Sequence, residues 1–379
     1  MKVIWISHGS TLEGAERCLA DAVKILANKE IEIQIILPSE GKLASILKNM
    51  GLSIHILPQP RWINEFKDTS SLFKRFYQYL KSIIKLTYLL RRLQGDIIIT
   101  NTIVIPCGAI ASKLLGITHI WYIHEFLEED HGWSFEFGRK FSLKYIEWFS
   151  EIVIFNSQAV YERFTEDISA NKARLIYHSV EMPEGYKACD IPNLEKGIFN
   201  IALVGRKAPG KGQKEAIEAI AILFKRNYNI HLSLVGGDFG GYTETLQELA
   251  QNLEVSEKVD FISFVDDPLS YMMAADVVLM CSKSEAFGRV TIEAMKLGKA
   301  VIGANSGSTP ELIKDGWNGL LYQSGCPSSL AEKIDLLYND KSLREQLGVN
   351  AYSWANQKFN SENYASDLLN VFNEALSQE

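Results

Sequence analysis

Short, continuous runs of apolar residues alternate with longer amphipathic stretches in the first half of the chain. Uninterrupted apolar runs are typical of strands that are buried on both faces of a parallel sheet. They predict strands at 3–6, 31–37, 54–57, 97–100, 119–123 and 152–155. Helical patterns lie between most of these runs, and this order predicts a doubly wound α/β domain.

The α/β pattern begins again in the second half. Apolar runs predict further strands at 199–204, 231–235, 259–261, 277–281 and 300–303. The stretch 183–197 contains prolines and glycines with little periodicity, so it is the predicted interdomain linker. The sequence therefore predicts an N-terminal Rossmann-like domain over 1–182 and a C-terminal one over 198–360. Small-molecule sites commonly lie between two such domains.

Length and charge limit the classes of function. With 379 residues the chain suits two domains, and its 47% apolar content is enough for two cores. A formal net charge of −7 gives no global basic field, which argues against nucleic acid as a partner. An anionic ligand would have to be held by a local group of cations.

Cysteine and N-terminal patterns give no sign of a metal, of secretion or of a membrane span. The five cysteines form no C-x-x-C pair and the sequence has no H-E-x-x-H motif, so neither a metal site nor another cofactor is predicted. The first apolar run is too short for a signal peptide. The apolar stretch 96–115 is interrupted by Asn101, Pro106 and Gly108. The expected location is the cytoplasm.

The richest candidate chemistry lies in 285–293, a stretch that begins and ends with a glutamate. Phe287 and Gly288 form a predicted turn, and the run 289–297 has the composition of a helix. A glycine at a helix N-terminus lets backbone N–H groups approach an anion such as phosphate. Glu285 and Glu293 could then accept hydrogen bonds from hydroxyls on either side, as a sugar nucleotide would require. The alternative is a surface loop and an amphipathic helix whose acids are solvated.

A second candidate is the loop 205–212, which lies between a predicted strand and a predicted helix. It nearly spells the phosphate-binding pattern G-x-x-x-x-G-K-[ST], but Gly212 stands where Ser or Thr would hold magnesium. That difference argues against an ATPase or a kinase.

The C-terminal half carries a family resemblance. The stretch Glu285-Ala-Phe-Gly-Arg-Val-Thr-Ile-Glu293-Ala-Met, followed by Gly298-Lys-Ala-Val-Ile-Gly, resembles the E-x7-E signature of the retaining nucleotide-sugar glycosyltransferases of family four. The resemblance implies the GT-B fold, in which two Rossmann-like domains face each other across a cleft. It also implies that the final segment 361–379 is a helix that packs back on the N-terminal domain.

The resemblance assigns roles to particular residues. It implies that Arg206 and Lys211 clamp the donor diphosphate. It implies that Glu285 grips the transferred sugar and that Glu293 holds the ribose. Further substrate contacts are implied for Phe287, Gly288, Arg289 and Val290.

Sparser matches extend the resemblance to other loops. The loop 7–17 is similar to the family's G-G-A-E-R loop, which implies that Gly14 approaches the donor phosphate; a glycine also suits an ordinary loop before a helix. His124 follows a predicted strand, where the family has a histidine that faces the donor sugar; its position alone equally suits a structural histidine. Phe264 lies in 261–266, which is similar to the segment that lines the base pocket.

Residues 70–93 combine an apolar helical pattern with six basic residues and no acid. Two interpretations fit this composition. One is a helix packed on the sheet with a solvated cationic side. The other is a helix that lies on an anionic membrane surface. The predicted apolar face consists of Leu72, Phe76, Leu80, Ile83, Leu86, Leu90 and Leu93.

Together these features predict a metal-independent transferase. It would move a sugar from a UDP- or GDP-linked donor to a glycan or lipid-linked acceptor with retention, in cell-surface polysaccharide or glycolipid synthesis. Local cations and backbone N–H groups would stabilise charge on the departing diphosphate. One alternative is a non-catalytic module that binds nucleotide sugars. Another is a glycoside hydrolase, which uses two carboxylates and does not need the cationic loop.

Overall fold

The computed structural model describes residues 1–27, 29–64, 72–183, 185–186 and 197–377. The chain divides into two compact units, one formed by Met1–Ser179 with Ser361–Glu379 and the other by Val180–Asn360. The predicted linker 183–197 lies mostly outside the described residues. So do residues 70 and 71 at the start of the predicted basic helix.

The first unit is built on a parallel sheet whose strand order is β3-β2-β1-β4-β5-β6-β7. Every described strand pair in it is parallel. Six of the strands occupy the predicted apolar runs, and the short edge strand β7 was not predicted. The strands are β1 (Lys2–Ser7), β2 (Glu32–Leu37), β3 (Ser53–Ile56), β4 (Ile97–Asn101), β5 (Thr118–Ile123), β6 (Ile152–Phe155) and β7 (Ala173–Leu175).

Helices connect these strands, as parallel pairing requires. They bury apolar residues of β1, β2, β4, β5 and β6 from water. The helices are α1 (Gly14–Leu26), α2 (Lys42–Asn49), α3 (Leu72–Leu93), α4 (Cys107–Leu115), α5 (Glu128–His131), α6 (Arg139–Phe149) and α7 (Gln158–Phe164).

The second unit repeats the architecture with a parallel sheet in the order β10-β9-β8-β11-β12-β13. Its strands are β8 (Phe199–Val204), β9 (Ile230–Val235), β10 (Val259–Ile262), β11 (Val277–Met280), β12 (Ala300–Ala304) and β13 (Leu320–Tyr322). The chain leaves β8 toward β9 and β10 and then returns to β11 on the other side of β8. Ligands of doubly wound sheets bind beyond the carboxyl ends of the strands at such a reversal.

Helices cover this second sheet in the same way. A single 3₁₀ turn, Ser256–Lys258, precedes β10. The helices are α8 (Gln213–Phe224), α9 (Tyr242–Asn252), α10 (Leu269–Ala274), α11 (Arg289–Lys296), α12 (Thr309–Leu312), α13 (Pro327–Asn339) and α14 (Lys341–Lys358).

The last helix, α15 (Ser361–Ser377), belongs to the first unit. Its residues Tyr364, Leu368 and Phe372 are buried in the same apolar cluster as the residues of β1 and β5. Arg174 Nε also donates to Glu374 Oε2 over 3.0 Å. The C-terminal segment therefore returns to the sheet that begins the chain.

The buried face of α3 differs from the predicted one. Leu86 and Leu90 are buried as expected, and α3 packs against α4. However, Phe76 and Leu80 are 68% and 46% exposed. The interpretation of α3 as a packed helix is therefore wrong at these two positions, whereas a membrane-surface helix would leave them exposed. Among the described helices, none is long and apolar enough to cross a membrane.

Polar contacts of Tyr79 and Arg75 explain this difference. Tyr79 Oη lies 2.6 Å from Glu136 Oε2 and 2.9 Å from the carbonyl oxygen of Arg61. Arg75 Nη2 donates to the same carboxylate oxygen over 2.6 Å. These contacts turn Tyr79 toward the interior and use one of the six basic residues within the fold. The neighbouring Phe76 and Leu80 are left facing water.

Candidate functional site

Three loops meet at the carboxyl edge of the second sheet. They follow β8, β11 and β12, which are neighbours in the sheet. Because all three strands are parallel, their carboxyl ends lie on one edge. The loop 205–212 and the segment 285–293 are therefore brought together, although they are far apart in sequence.

The loop 205–212 is fixed against the end of β11. The backbone N–H of Lys283 donates to the carbonyl oxygen of Gly210 over 2.9 Å. Gly212 has φ +75°, and a Cβ there would lie 2.1 Å from the carbonyl oxygen of Cys281. Only glycine fits this approach. The glycine that departs from the magnesium-binding pattern is thus needed for the contact between two loops.

Glu285 is the centre of the hydrogen-bond network at this edge. Lys211 Nζ donates to Glu285 Oε2 over 3.0 Å. The Ser282 hydroxyl and the Gly288 backbone N–H also bond to the carboxylate. Burial opposes ionisation of Glu285, but these partners outweigh it, so the pKa of Glu285 lies below its ordinary value. The carboxylate is held ionised in front of a helix N-terminus.

Gly307 supports the backbone of Glu285 from the loop after β12. Gly307 has φ +57°, and a Cβ there would lie 2.7 Å from both the nitrogen and the carbonyl oxygen of Glu285. The backbone N–H of Ser308 donates to that carbonyl oxygen over 2.8 Å. This loop therefore fixes where Glu285 can lie.

Helix α11 begins at Arg289 as predicted, with Gly288 preceding it at φ +84°. A Cβ on Gly288 would lie 2.7 Å from Leu312 Cδ1, so the backbone here is close-packed. One turn into the helix, Glu293 Oε1 accepts from Arg289 Nε over 2.9 Å. Glu293 is only 8% exposed, and Arg289 supplies its ionic partner.

Two further predicted residues of this segment differ in exposure. Phe287 is buried, and its ring packs edge-on against Phe359 with the centroids 6.1 Å apart. Its side chain thus belongs to the interior, which leaves the backbone of Phe287 for any ligand contact. Val290 is partly exposed in the first turn of α11.

The cations of the loop 205–212 have separate surroundings. Arg206 is exposed, and its guanidinium lies 5.1 Å from the centre of the Phe239 ring. Lys207 is 2% exposed, and its Nζ donates to the carbonyl oxygens of Gly236 and Ile262. Lys207 thereby ties the ends of β8, β9 and β10 together, a role that no sequence pattern indicated.

Phe264 lies beyond β10 and is 60% exposed. It belongs to the same unit as the glutamates. Its ring is open to solvent over most of its surface, which is uncommon for a large aromatic residue in a well-packed domain.

The remaining two predicted residues lie in the first unit. Gly14 begins α1, and a Cβ there would meet no atom within 4 Å, so packing does not require glycine. His124 follows β5 and is 8% exposed. Its Nε2 lies 2.8 Å from Asn101 Oδ1 and its Nδ1 lies 3.0 Å from His178 Nε2. Both ring nitrogens of His124 have partners within the protein.

Near His124, Glu125 is a buried acid that the sequence reasoning did not single out. Its oxygens accept from the backbone N–H groups of Ile103, over 2.8 Å, and His124, over 2.9 Å. Burial nevertheless raises the pKa of Glu125 to about 8. Across the described residues, no three His, Cys, Asp or Glu side chains are grouped so as to hold a metal ion.

Family models match both halves of the chain. The model described as Glycosyltransferase Family 4 matches residues 12–182, and the model described as Glycosyl transferases group 1 matches 190–354. Together with the two Rossmann-like units and the segment 285–293, these matches place the chain in a known class. The chain belongs to the group 1 glycosyltransferases and has the GT-B fold, which confirms the family resemblance seen in the sequence.

Individual relatives agree with this assignment. The capsular polysaccharide biosynthesis glycosyltransferase CapM of Staphylococcus aureus is 31% identical over 184 residues, which are 48% of this chain and 47% of CapM. The chain thus spans about half the length of that relative. The uncharacterized glycosyltransferase MJ1178 of Methanocaldococcus jannaschii is 29% identical over 273 residues, 70% of this chain and 71% of MJ1178.

A solved structure shares the fold over nearly the whole chain. Anabaena Alr3699/HepE in complex with UDP has a TM-score of 0.81 and 24% identity, and the match covers 99% of this chain and 100% of that one. The same protein in complex with UDP-glucose has a TM-score of 0.78 and 24% identity, with 100% of both chains covered.

Proposed function

We propose that this protein transfers a sugar from a nucleoside diphosphate sugar to a glycan or lipid-linked acceptor. The observation that carries the proposal is the Lys211–Glu285 pair in front of α11. An ammonium, a carboxylate and a helix N-terminus meet there at the carboxyl edge of a doubly wound sheet. A cation and backbone N–H groups suit a diphosphate, and a carboxylate beside them suits sugar hydroxyls.

Each group has a part in the proposed reaction. Lys211, Arg206 and the backbone at Gly288 stabilise charge that builds on the departing diphosphate. Glu285 holds the transferred sugar and Glu293 the ribose. The acceptor hydroxyl attacks the anomeric carbon from the face that the diphosphate leaves, and the leaving phosphate takes the acceptor's proton. The new bond therefore has the configuration of the broken one, and no metal takes part.

The relatives support a UDP sugar as the first donor to test. HepE binds UDP and UDP-glucose, and CapM acts in capsular polysaccharide synthesis. A GDP sugar is the second donor in the proposal. The proposal also assigns one substrate to each unit. The acceptor binds the N-terminal unit and the nucleotide sugar binds the C-terminal unit.

Thermal shift with UDP, GDP and ADP sugars identifies the donor, and turnover with a product NMR spectrum reports the anomeric configuration. We expect the sugars of one nucleotide to stabilise the protein. The new glycosidic bond should have the same anomeric configuration as the donor, and activity should survive EDTA. Binding without turnover on any glycan or lipid-linked acceptor would favour the binding module. Sugar hydrolysis without nucleotide binding would favour the glycoside hydrolase.

The proposed acceptor is tied to a surface of the first unit. Six large apolar side chains project from α3 with exposures between 46% and 88%. Beside them, Phe137 and Phe141 are also exposed, and Phe137 packs on Tyr79 of α3 with the ring centroids 5.9 Å apart. We define the basic aromatic face by its apolar side chains and the exposed cations beside them. The apolar side chains are Phe73, Phe76, Tyr77, Leu80, Ile84, Tyr88, Phe137 and Phe141.

Exposed cations flank these apolar side chains. They are Lys74, Lys81, Lys85, Arg91, Arg92, Lys140 and Lys144. Residues 72–93 include no acid. The acid Glu147 of α6, the helix that carries Lys140 and Lys144, accepts a hydrogen bond from the backbone N–H of Ser169. A large exposed apolar patch marks an interaction site, and aromatic side chains among lysines and arginines suit the interface of an anionic bilayer. The proposed partner is therefore anionic lipid at the inner face of the cytoplasmic membrane, where a lipid-linked acceptor would lie.

A further inference from the structure

A chain of buried hydrogen bonds connects His124 to the C-terminal helix. His124 Nδ1 lies 3.0 Å from His178 Nε2, and His178 Nδ1 lies 3.0 Å from Tyr364 Oη in α15. His178 and Tyr364 are 1% and 2% exposed. At the other end, His124 Nε2 lies 2.8 Å from Asn101 Oδ1. Water does not reach most of this chain, so each donor must find its acceptor within it.

The end at Asn101 fixes the direction of the chain. The indole Nε1 of Trp5 lies 3.4 Å from Asn101 Oδ1, and an indole N–H only donates. Asn101 Nδ2 lies 3.4 Å from the carbonyl oxygen of Ala15, which only accepts. Both contacts require the amide oxygen of Asn101 to face His124. Since that oxygen accepts, the proton of the neutral His124 ring is on Nε2.

The remaining protons follow in order. With its proton on Nε2, His124 has a bare Nδ1, which accepts from the Nε2–H of His178. The Nδ1 of His178 is then bare as well and accepts from Tyr364. Tyr122 Oη lies 3.2 Å from His178 Nδ1, 3.3 Å from Tyr364 Oη and 3.4 Å from the carbonyl oxygen of Ile176. Because Tyr364 Oη is nearer to His178 Nδ1, at 3.0 Å, Tyr364 donates to that nitrogen and Tyr122 donates to the carbonyl oxygen. One arrangement of protons therefore satisfies every member.

Ring packing holds the same arrangement. The rings of Tyr122 and His124 are stacked at 4.4 Å, and those of His124 and His178 at 4.9 Å. Titratable neighbours of His124 include His8 and Glu125. Burial, with a smaller contribution from His8, lowers the pKa of His124 to about 3. A second proton on the ring would also break its bond with His178.

We infer that His178 and Tyr364 are positioning residues that hold His124 as the neutral tautomer protonated at Nε2. His124 then contributes the position of its ring to the proposed transfer and exchanges no proton with the substrate. This role rests on the proposed function, whereas the order of the hydrogen bonds does not. The C-terminal helix, through Tyr364, becomes part of what shapes the surroundings of His124.

NMR of protein with ¹⁵N-labelled histidine tests the order without substrate. We expect Nε2-protonated rings for His124 and His178 and a scalar coupling between His124 Nδ1 and His178 Nε2, with resonances assigned from His124→Asn and His178→Phe. Tyr364→Phe removes a donor to His178 Nδ1 and should shift the resonance of that nitrogen, while Tyr352→Phe, at an exposed tyrosine, should change nothing. A His124 ring protonated at Nδ1, or one that titrates between about pH 5 and 8, would overturn the inference.

Activity separates this inference from the proposed function. His178→Phe keeps a ring in the stack but donates no hydrogen bond, whereas His178→Gln keeps an N–H donor. We expect His178→Phe to lower kcat on the order of tenfold to 100-fold, with unchanged UDP affinity, through loss of position. His178→Gln should recover most of the loss. Equal kcat in both variants would refute the positioning role, and absence of transfer by the wild type would refute only the proposed function.

Discussion

Lys211 Nζ lies 3.0 Å from Glu285 Oε2, and this pair joins the loop after β8 to the loop before α11. The sequence assigned the lysine to a diphosphate and the glutamate to a sugar, without a contact between the two. Because the two are paired, a bound diphosphate would either share Lys211 with Glu285 or replace Glu285 as the partner of Lys211. The negative charge on Glu285 should therefore oppose binding of the bare nucleotide while helping to hold the sugar.

Loss of either cation of the loop 205–212 should weaken nucleotide binding. Hydrogen bonds to charged groups contribute about 1.5–3 kcal/mol, so Lys211→Ala and Arg206→Ala should each raise the Kd for UDP or GDP roughly tenfold to 100-fold. Isothermal titration calorimetry measures this. Lys214→Ala is the matched control, because Lys214 is exposed on α8 beside the loop. Wild-type affinity in Lys211→Ala would contradict the clamp.

The two glutamates should separate binding from transfer. Glu285→Gln removes the charge beside Lys211, so affinity for the bare nucleotide should be unchanged or higher while kcat falls. Glu293→Gln should instead weaken bare nucleotide binding, because its assigned partner is the ribose. Calorimetry with the nucleotide and initial rates with the donor sugar give the two quantities. The division of roles fails if both variants lose nucleotide affinity equally.

Gly307 offers a test of how Glu285 is held. Gly307→Ala adds a Cβ that would lie 2.7 Å from the Glu285 backbone, so it should shift Glu285 and lower kcat. Gly325→Ala is the control, since Gly325 also has positive φ but a Cβ there meets no atom within 4 Å. Gly325→Ala should lose about 1 kcal/mol of stability from backbone strain, and Gly307→Ala should lose more, because its new Cβ also meets the Glu285 backbone. Equal activity in the two would show that the contact with Glu285 does not matter.

Glu125 should make the first unit less stable as the pH rises. Its pKa is about 8 in the folded protein, against an ordinary value of 4.5, so the folded state retains a proton that the unfolded chain releases. The free energy of unfolding should therefore fall from about pH 4.5 to about pH 8, by at most about 1.4 kcal/mol per pH unit. Glu125→Gln cannot titrate and should flatten this slope.

Urea unfolding at several pH values measures the effect of Glu125. The control is Glu40→Gln, an exposed acid paired with Lys48, which should leave the slope as it is. The opposite outcome is a free energy of unfolding that changes with pH equally in the wild type and in Glu125→Gln. That result would mean that Glu125 is ionised in the folded state. In that case its two backbone N–H donors outweigh burial.

The sequence predicted the long strands and the segment 285–293 because each carries its signal locally. Apolar runs mark buried parallel strands, and Gly288 before an amphipathic run marks the start of α11. The edge strands β7 and β13 have only three residues each, which is too short for a pattern. The inward face of α3 could not be read because a hydrogen bond from Tyr79 to Glu136, far along the chain, decides it.

Contacts between loops were also beyond the sequence. Gly307 approaches Glu285 only because β11 and β12 are neighbours in the folded sheet. Lys207 and Lys211 are four residues apart in one loop, yet Lys207 is buried against carbonyl oxygens and Lys211 pairs with Glu285. Composition makes all cations of this loop equal candidates for the ligand. The family resemblance pointed to Arg206 and Lys211, and the fold adds that Lys207 has a separate, supporting role.

The basic aromatic face should bind vesicles that contain anionic lipid. Its exposed rings can enter the headgroup region, and each nearby Lys or Arg contributes about 1 kcal/mol at an anionic surface. Sedimentation with phosphatidylglycerol vesicles should therefore recover the protein, whereas phosphatidylcholine vesicles should not. Added salt should weaken binding, because charges are screened beyond about 10 Å at 0.1 M.

Two kinds of variant separate the charge from the apolar side chains of this face. Changing Lys74, Lys81 and Lys85 to Glu should abolish binding, whereas the same change at Lys225, Lys314 and Lys341, exposed cations of the second unit, should leave it. Phe76→Ser with Ile84→Ser should also weaken binding without loss of stability, because both side chains are already exposed. If the wild type stays in the supernatant at low salt, the membrane contact is wrong. If apolar variants convert a dimer to a monomer, the face instead binds a second copy of the chain.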